Sequence, residues 1–296
     1  MPAPFISSLC GYREGRPNTS DKGDQGSVAL GKLFFEAIGI KSDAPAPTEA
    51  VGNLMTQMMS TDLAQYFDSN ASHLRVEPER PFTSFEQFSH LKAAAELRRD
   101  LTIDVARAVD DLRAFSSRST IEDHLRQELQ EHLDQIESEV QSAEAKRRDL
   151  LDLLGEESLL KLDITVSRAT LGPSVAPDSR HLVAGFSLKW TLRTDRAQDC
   201  RSQGAKMASL RRGRMPHFAT VTIEPRPAML ALLGRGSGDL DCVYHLHLPA
   251  LQLALDEYCS GSASTPRLKM RDTFRRLCDQ RRLRDYDELR NYTATL

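Results

Sequence analysis

Helical periodicity in the first half of the chain, a switch to strand periodicity near residue 158, and helices interleaved with the later strands predict a mixed α/β fold. The expected architecture is a mixed central sheet flanked by helices. A chain of 296 residues is long enough for one domain with a substantial core. At 40% hydrophobic and 27% charged residues, the composition is that of a globular protein, not a disordered one.

No apolar run approaches the roughly 20 residues of a membrane helix. "MPAPFISSLCGYREG" lacks a basic region followed by an apolar one, so no secretory signal is expected. Cys10, Cys200, Cys242, Cys259 and Cys278 are scattered, odd in number and without zinc-type spacing. They read as reduced thiols of a cytoplasmic protein.

In chain order, residues 1 to 26 read as an irregular arm rich in Gly, Pro, Asn, Ser and Asp. "SVALGKLFFEAIG" has helical spacing and stops at Gly39, a C-cap residue. "LMTQMMSTDLAQYF" returns to helical spacing, with Leu54, Met58, Leu63 and Phe67 expected to face inward. The methionines there read as core filling. "FEQFSHLKAAAELRR" is expected to be helical. Thr120 to Leu154 is a long helical pattern through Leu125, Leu129, Leu133, Ile136 and Val140, which can pair with Leu91 to Phe115 as a hairpin. "LLKLDITVSRATLG", "HLVAGFSLKWTL", "HFATVTIEP" and "LDCVYHLHLP" read as four strands, with a helix at roughly 197–210 between the second and third. The whole, 1–296, reads as a single domain, with a helical subregion at about 84–155 and the sheet with the candidate site at about 158–250.

The net charge of −3 conceals a partition. Residues 121–157 carry twelve acids against four bases, whereas residues 186–214 carry eight bases against two acids and residues 267–290 nine against five. A local basic patch matters more for a polyanion than the whole-chain sum. The alternative is that each basic run is a solvated helix face.

Alternate residues of a strand share a face, so Ser187 and Lys189 point one way, and Phe186, Leu188 and Trp190 the other. Trp190 is expected to pack in the core. On the preceding strand Asp163 is the one acid, between Leu162 and Ile164. If the two strands pair, a carboxylate meets a hydroxyl and an ammonium. Phosphodiester hydrolysis needs a metal and a positioned water. A carboxylate can hold a hard cation such as Mg²⁺, and a lysine can orient the water and offset charge. Beyond the strand come Arg193, Asp195 and Arg196. Arginine can bond guanine bidentately and aspartate can accept from cytosine, so this cluster can read G·C pairs in the major groove. The alternative is an Arg–Asp salt bridge capping the following helix; spacing leaves both open.

"SLKWTLRTDRAQDCRSQG", with "GRMPHFATVTIEPRP" and "GSGDLDCVYH", strongly resembles the NgoMIV-type type II restriction endonucleases, which cleave sites built on CCGG. The strong match covers about Ser187 to His247. Weaker similarity extends back through "LDITVSR" and "NTSDKGDQGSVALGK" and forward to "RRLRDYDEL". The resemblance implies a restriction-endonuclease-like PD-(D/E)XK core, here with a long helical insertion. It implies that Asp163 binds metal, that Ser187 and Lys189 complete the active site, that Arg193, Asp195 and Arg196 read the CCGG core, and that Asp21 contacts the outer base pair. It also implies Mg²⁺ dependence, double-stranded DNA as substrate, and a homodimer or homotetramer cutting both strands of a palindrome such as GCCGGC.

The chain departs from the family pattern at three places. Gln203 stands where the family has a glutamate, and is taken here as a polar member of the catalytic set. Thr56 stands where a second glutamate would fall, with Glu49 as a nearby substitute. Met229 stands at the outer-base arginine, with Arg226 three residues earlier as the candidate DNA contact. The missing glutamates leave a second reading, a site-specific DNA-binding protein with weak or lost cleavage, and the fold leaves a third, a structure-specific repair nuclease. His217, His245 and His247 lack the spacing of a metal site, and "GRGSGDLDC" reads as a turn, not a phosphate-binding loop.

Overall fold

The computed structural model describes residues 2–92, 102–118, 121–154, 161–170, 178–236, 238–260 and 264–296. They divide into two compact units, one formed by Met1–Phe88 with Lys161–Leu296, the other by Ser89–Leu160.

The first unit is built on a six-stranded mixed sheet whose strands lie across it in chain order. Its strands are β3 (Leu74–Pro81), β4 (Lys161–Ala169), β5 (Arg180–Lys189), β6 (His217–Thr222), β7 (Cys242–His245) and β8 (Leu283–Asp285). β3–β4 and β4–β5 are antiparallel, and the remaining pairs are parallel. Strands β5 and β6 are buried over nearly their whole length, the pattern of a sheet covered on both faces by helices. The mixed α/β architecture expected from the sequence is therefore borne out, and all four expected strands are present.

Other expectations need correcting. The 1–26 arm is not irregular throughout. It holds a short helix, Ile6–Leu9, and a hairpin of β1 (Tyr12–Arg13) and β2 (Arg16–Pro17). The hairpin turns on Glu14 and Gly15, both at positive φ, as its two-residue loop requires. In the Val51–Asn70 helix the buried residues are Met55, Met59, Leu63 and Phe67, four residues apart; Leu54 and Met58 are only half-buried. A helix has one inward stripe, and adjacent methionines cannot both lie on it. Residues expected to begin a helix at Phe85 form 3₁₀ turns, Phe82–Ser84 and Glu86–Phe88; residues 93–101 of that expectation lie outside the described ones. Strand β3 was not foreseen. Its segment, "LRVEPERP", carries two prolines and charges that mask the alternation, as suits an edge strand. Nor were the C-terminal helices individually foreseen: Pro227–Gly234, Leu248–Ser260, Thr265–Asp279 and Tyr286–Ala294.

The second unit contains the helices Thr102–Arg118 and Asp123–Leu154, which pack together. Arg113 bridges them, donating to Asp134 at 2.6 Å and Glu137 at 2.7 Å. No helix among the described residues is long and apolar enough to cross a membrane.

Candidate active site and nucleic-acid interface

The antiparallel register of β4 and β5 pairs Ile164 with Phe186, so the ladder's next step sets Asp163 opposite Ser187. The Asp163 carboxylate is half-buried. Its Oδ2 accepts the Leu188 backbone N–H at 2.6 Å and lies 3.5 Å from Ser187 Oγ. Two residues on, Lys189 ends β5, half-buried, and its side chain makes no hydrogen bond or ion pair among the described residues. An ammonium left uncommitted two residues along the strand from the Ser187 hydroxyl is free to bind an incoming anion.

The Thr194–Leu210 helix completes this corner. Cys200 Sγ lies 3.5 Å from Ser187 Oγ, and one turn later the Gln203 amide donates to the Lys161 carbonyl at the start of β4. The structure thus brings Asp163, Ser187 and Gln203 to one end of β4 and β5. Cys200 was missed at the sequence level, where nothing distinguishes it from the other free thiols except its place three residues before Gln203, on the same helix face. The helix sits close because Gly204 has no side chain: a Cβ there would lie 2.0 Å from the Asp239 carbonyl oxygen.

Three residues separate Lys189 from Arg193, the N-cap of that helix. Arg193, Asp195 and Arg196 are all exposed. Arg196 donates to the Thr191 carbonyl at 3.3 Å. Asp195 makes no ion pair among the described residues, and Arg193 makes no side-chain cap. The intramolecular Arg–Asp capping bridge is therefore absent, and the cluster's polar groups face outward. Arg193 and Arg196 share a cleft of about 540 Å³ with Arg13, Arg16, Lys22, Glu49 and Trp190.

Trp190 is a correction. It is half-buried at the cleft, not in the core, and its indole N–H donates to the Asn18 carbonyl at 3.1 Å. The polar edge of the ring finds its partner on the N-terminal arm, which places the aromatic at the cleft wall.

Asp21 and Arg226 meet. Arg226 Nη1 donates to Asp21 Oδ2 at 3.0 Å, its Nε donates to Glu224 at 2.6 Å, and its Nη2 donates to the Leu192 carbonyl at 2.9 Å. The Gly23 backbone N–H, with Arg226 and Arg193 nearby, holds the Asp21 carboxyl below the usual carboxylate range. Burial disfavours the Arg226 charge, but Glu224 and Asp21 outweigh it and raise its pKa. The Thr56 hydroxyl bonds back along its own helix to the Gly52 carbonyl at 3.1 Å.

The three histidines each bond to protein groups, and the buried His245 Nε2 alone among their nitrogens is enclosed without a hydrogen-bond partner among the described residues. His217 bridges Asp241 at 2.8 Å and the Tyr244 hydroxyl at 3.2 Å. His245 is fully buried at the end of β7, where burial lowers its pKa to about 3. His247 lies just past the strand, and its Nδ1 accepts the Ala250 backbone N–H at 3.2 Å. Among the described residues no three His, Cys, Asp or Glu side chains gather as a metal cluster.

The family model for the NgoMIV restriction enzyme matches residues 173–291. "Type II restriction enzyme NgoMIV" of Neisseria gonorrhoeae is 38% identical over 108 residues, which are 36% of this chain and 35% of that protein. The chain thus aligns with about a third of the length of its curated relative. The resemblance read from the sequence is borne out over this segment, which contains Ser187, Lys189, Arg193, Asp195, Arg196, Gln203 and Arg226. Asp21 and Asp163 precede it, and the fold alone brings them alongside.

Proposed function

We propose, from the premise that residues 173–291 are of the NgoMIV restriction enzyme type, that this protein is a type II restriction endonuclease. It hydrolyses double-stranded DNA, with Mg²⁺, at a palindrome containing CCGG, and works as a homodimer or homotetramer. The observation that carries the reading is the juxtaposition at the end of β5. An uncommitted Lys189 follows Ser187 of the Asp163–Ser187 pair by two residues on the same strand face, and three residues separate it from the exposed Arg193, with Asp195 and Arg196 just beyond.

The residues fit magnesium. Mg²⁺ prefers oxygen ligands, keeps several waters, and takes one or two carboxylates with substrate phosphates. Asp163 supplies such a carboxylate, and its Oδ1 accepts no hydrogen bond among the described residues. Bound there, the ion would neutralise phosphate charge and acidify a coordinated water. Lys189 holds the attacking water and donates to a phosphate oxygen as negative charge grows there. Ser187 keeps the Asp163 carboxylate oriented. Gln203 contributes an amide oxygen but no charge, so the site favours one tightly held cation over two.

Recognition lies on the turn and helix that directly follow. Arg193 and Arg196 present forked donors suited to guanine, and Asp195 an acceptor suited to the cytosine amine. Asp21, held at the cleft by Arg226, is placed to contact an outer base pair. Because Lys189 and Arg193 are so near in sequence, reading and cutting share one rigid segment.

Digestion of DNA of known sequence with Mg²⁺, followed by mapping of the fragment ends, tests the proposal. Ends confined to CCGG-containing palindromes are expected. Specific retardation of CCGG duplexes without cutting would mean a binding protein, and preferential cutting of branched or nicked DNA would mean a repair nuclease.

A further inference from the structure

We infer that Glu224 is a positioning residue, one that couples base reading to cleavage by clamping the segment between Lys189 and Arg193. The inference rests on the nuclease reading above, and concerns a residue to which that reading gives no role.

Glu224 lies just past β6, fully buried, yet carries a carboxylate. Burying an acid is unfavourable unless it is paired and hydrogen-bonded. Here the carboxylate is shared between Leu192, in the segment that joins Lys189 to Arg193, and Arg226. Glu224 Oε2 accepts the Leu192 backbone N–H at 2.8 Å. Its Oε1 accepts Arg226 Nε at 2.6 Å and the Arg226 backbone N–H at 3.0 Å. Arg226 in turn donates to the Leu192 carbonyl. Both backbone polar groups of Leu192 are thus satisfied by this one ion pair, not by a neighbouring strand. The adjacent Trp190 carbonyl is held from the same side, by the Ile223 N–H and the Thr222 hydroxyl, each at 3.3 Å.

The clamp fixes the three residues that join the lysine to the reading cluster. It also has an outward end. The guanidinium of Arg226 is shared between Glu224 and Asp21 on the N-terminal arm, at the mouth of the cleft. Whatever draws Asp21 toward DNA alters the pull on Arg226, and Arg226 holds Leu192. An apolar residue at position 224 would leave the Leu192 N–H without a partner and Arg226 without the charge that holds it, which is costly in a buried site.

The readout is discrimination: the ratio of single-turnover cleavage rates on a cognate duplex and on one with a single base pair changed. A merely structural residue scales both rates by the fraction of folded enzyme and leaves the ratio unmoved. Glu224→Gln retains an oxygen for Leu192 but loses the charge that holds Arg226. It is expected to lower the ratio at least tenfold, with Glu224→Asp closer to wild type. A ratio within threefold of wild type in folded Glu224→Gln overturns the inference. Should that variant not fold, Arg226→Lys, which keeps the charge but cannot span Glu224, Asp21 and the Leu192 carbonyl together, is held to the same criterion. Failure of the nuclease reading is separately visible, because wild type would then cleave neither duplex, and the inference would fall with it.

Discussion

The Lys189 side chain is left without a partner among the described residues, at the end of a strand on which the nearest polar side chain, Ser187, is already engaged. Holding a cation unpaired and half-buried is unfavourable, and the expense is repaid only when an anion arrives. Lys189→Ala is therefore expected to abolish cleavage and to leave specific retardation of a CCGG duplex intact; a variant that cuts at the wild-type rate would remove Lys189 from the chemistry. Arg193 is set for a different task, since it is exposed and caps nothing. Arg193→Ala is expected to cost about 1–3 kcal/mol of binding to the cognate site and to relax choice at one base pair. Equal weakening on cognate and scrambled DNA would make it a phosphate contact only. Both residues were legible in the sequence because strand alternation and charge type are local properties. Glu224 and Cys200 were not, because their partners, Leu192 and Ser187, are brought to them by parallel pairing and helix seating that no local pattern records.

The Thr194–Leu210 helix shows how an element turns such contacts into a site. Its span was nearly legible, the sequence placing it at 197–210, but its closeness to the sheet was not. That depends on Gly204, which meets the Asp239 carbonyl and the Phe218 ring. Replacing glycine by alanine within a helix ordinarily favours it by roughly 1 kcal/mol. Here the added methyl has no space, since a Cβ would lie 2.0 Å from backbone oxygen and 2.9 Å from the ring. Gly204→Ala is expected to lose roughly 1–3 kcal/mol of stability, as overpacked cores do, measured by urea unfolding. The helix must tilt outward at its middle, drawing Cys200 and Gln203 from β4 and β5, so cleavage should fall further than stability explains. A variant as stable and active as wild type would mean the helix can shift without consequence to the site. The edge strand β3 illustrates the reverse case. Its prolines and charges hide it from a periodicity reading and, for the same reason, protect a sheet edge.

Across the whole molecule, charge is distributed in a way the net value conceals. Residues 89–160 hold ten bases and seventeen acids, a net of −7, so the remainder of a chain of net −3 is at +4. The unit carrying the cleft is cationic, and the cleft itself gathers Arg13, Arg16, Lys22, Arg193 and Arg196 against Glu14 and Glu49. Specific DNA binding should therefore weaken steeply with salt, its logarithmic slope rising by about 0.9 for each phosphate neutralised. Lys22 separates this contribution from base reading. It is 79% exposed, and its ion pair with Glu14, at 3.7 Å, is too solvated to hold it strongly. Lys22→Ala is expected to reduce the salt slope by about one and to weaken cognate and scrambled duplexes alike. Arg193→Ala, from the same cleft, should instead change the ratio between them. A salt slope unchanged in Lys22→Ala would place the phosphate path elsewhere on the cationic unit, and would separate this cleft from the DNA while leaving the Asp163–Lys189 chemistry to be judged on its own.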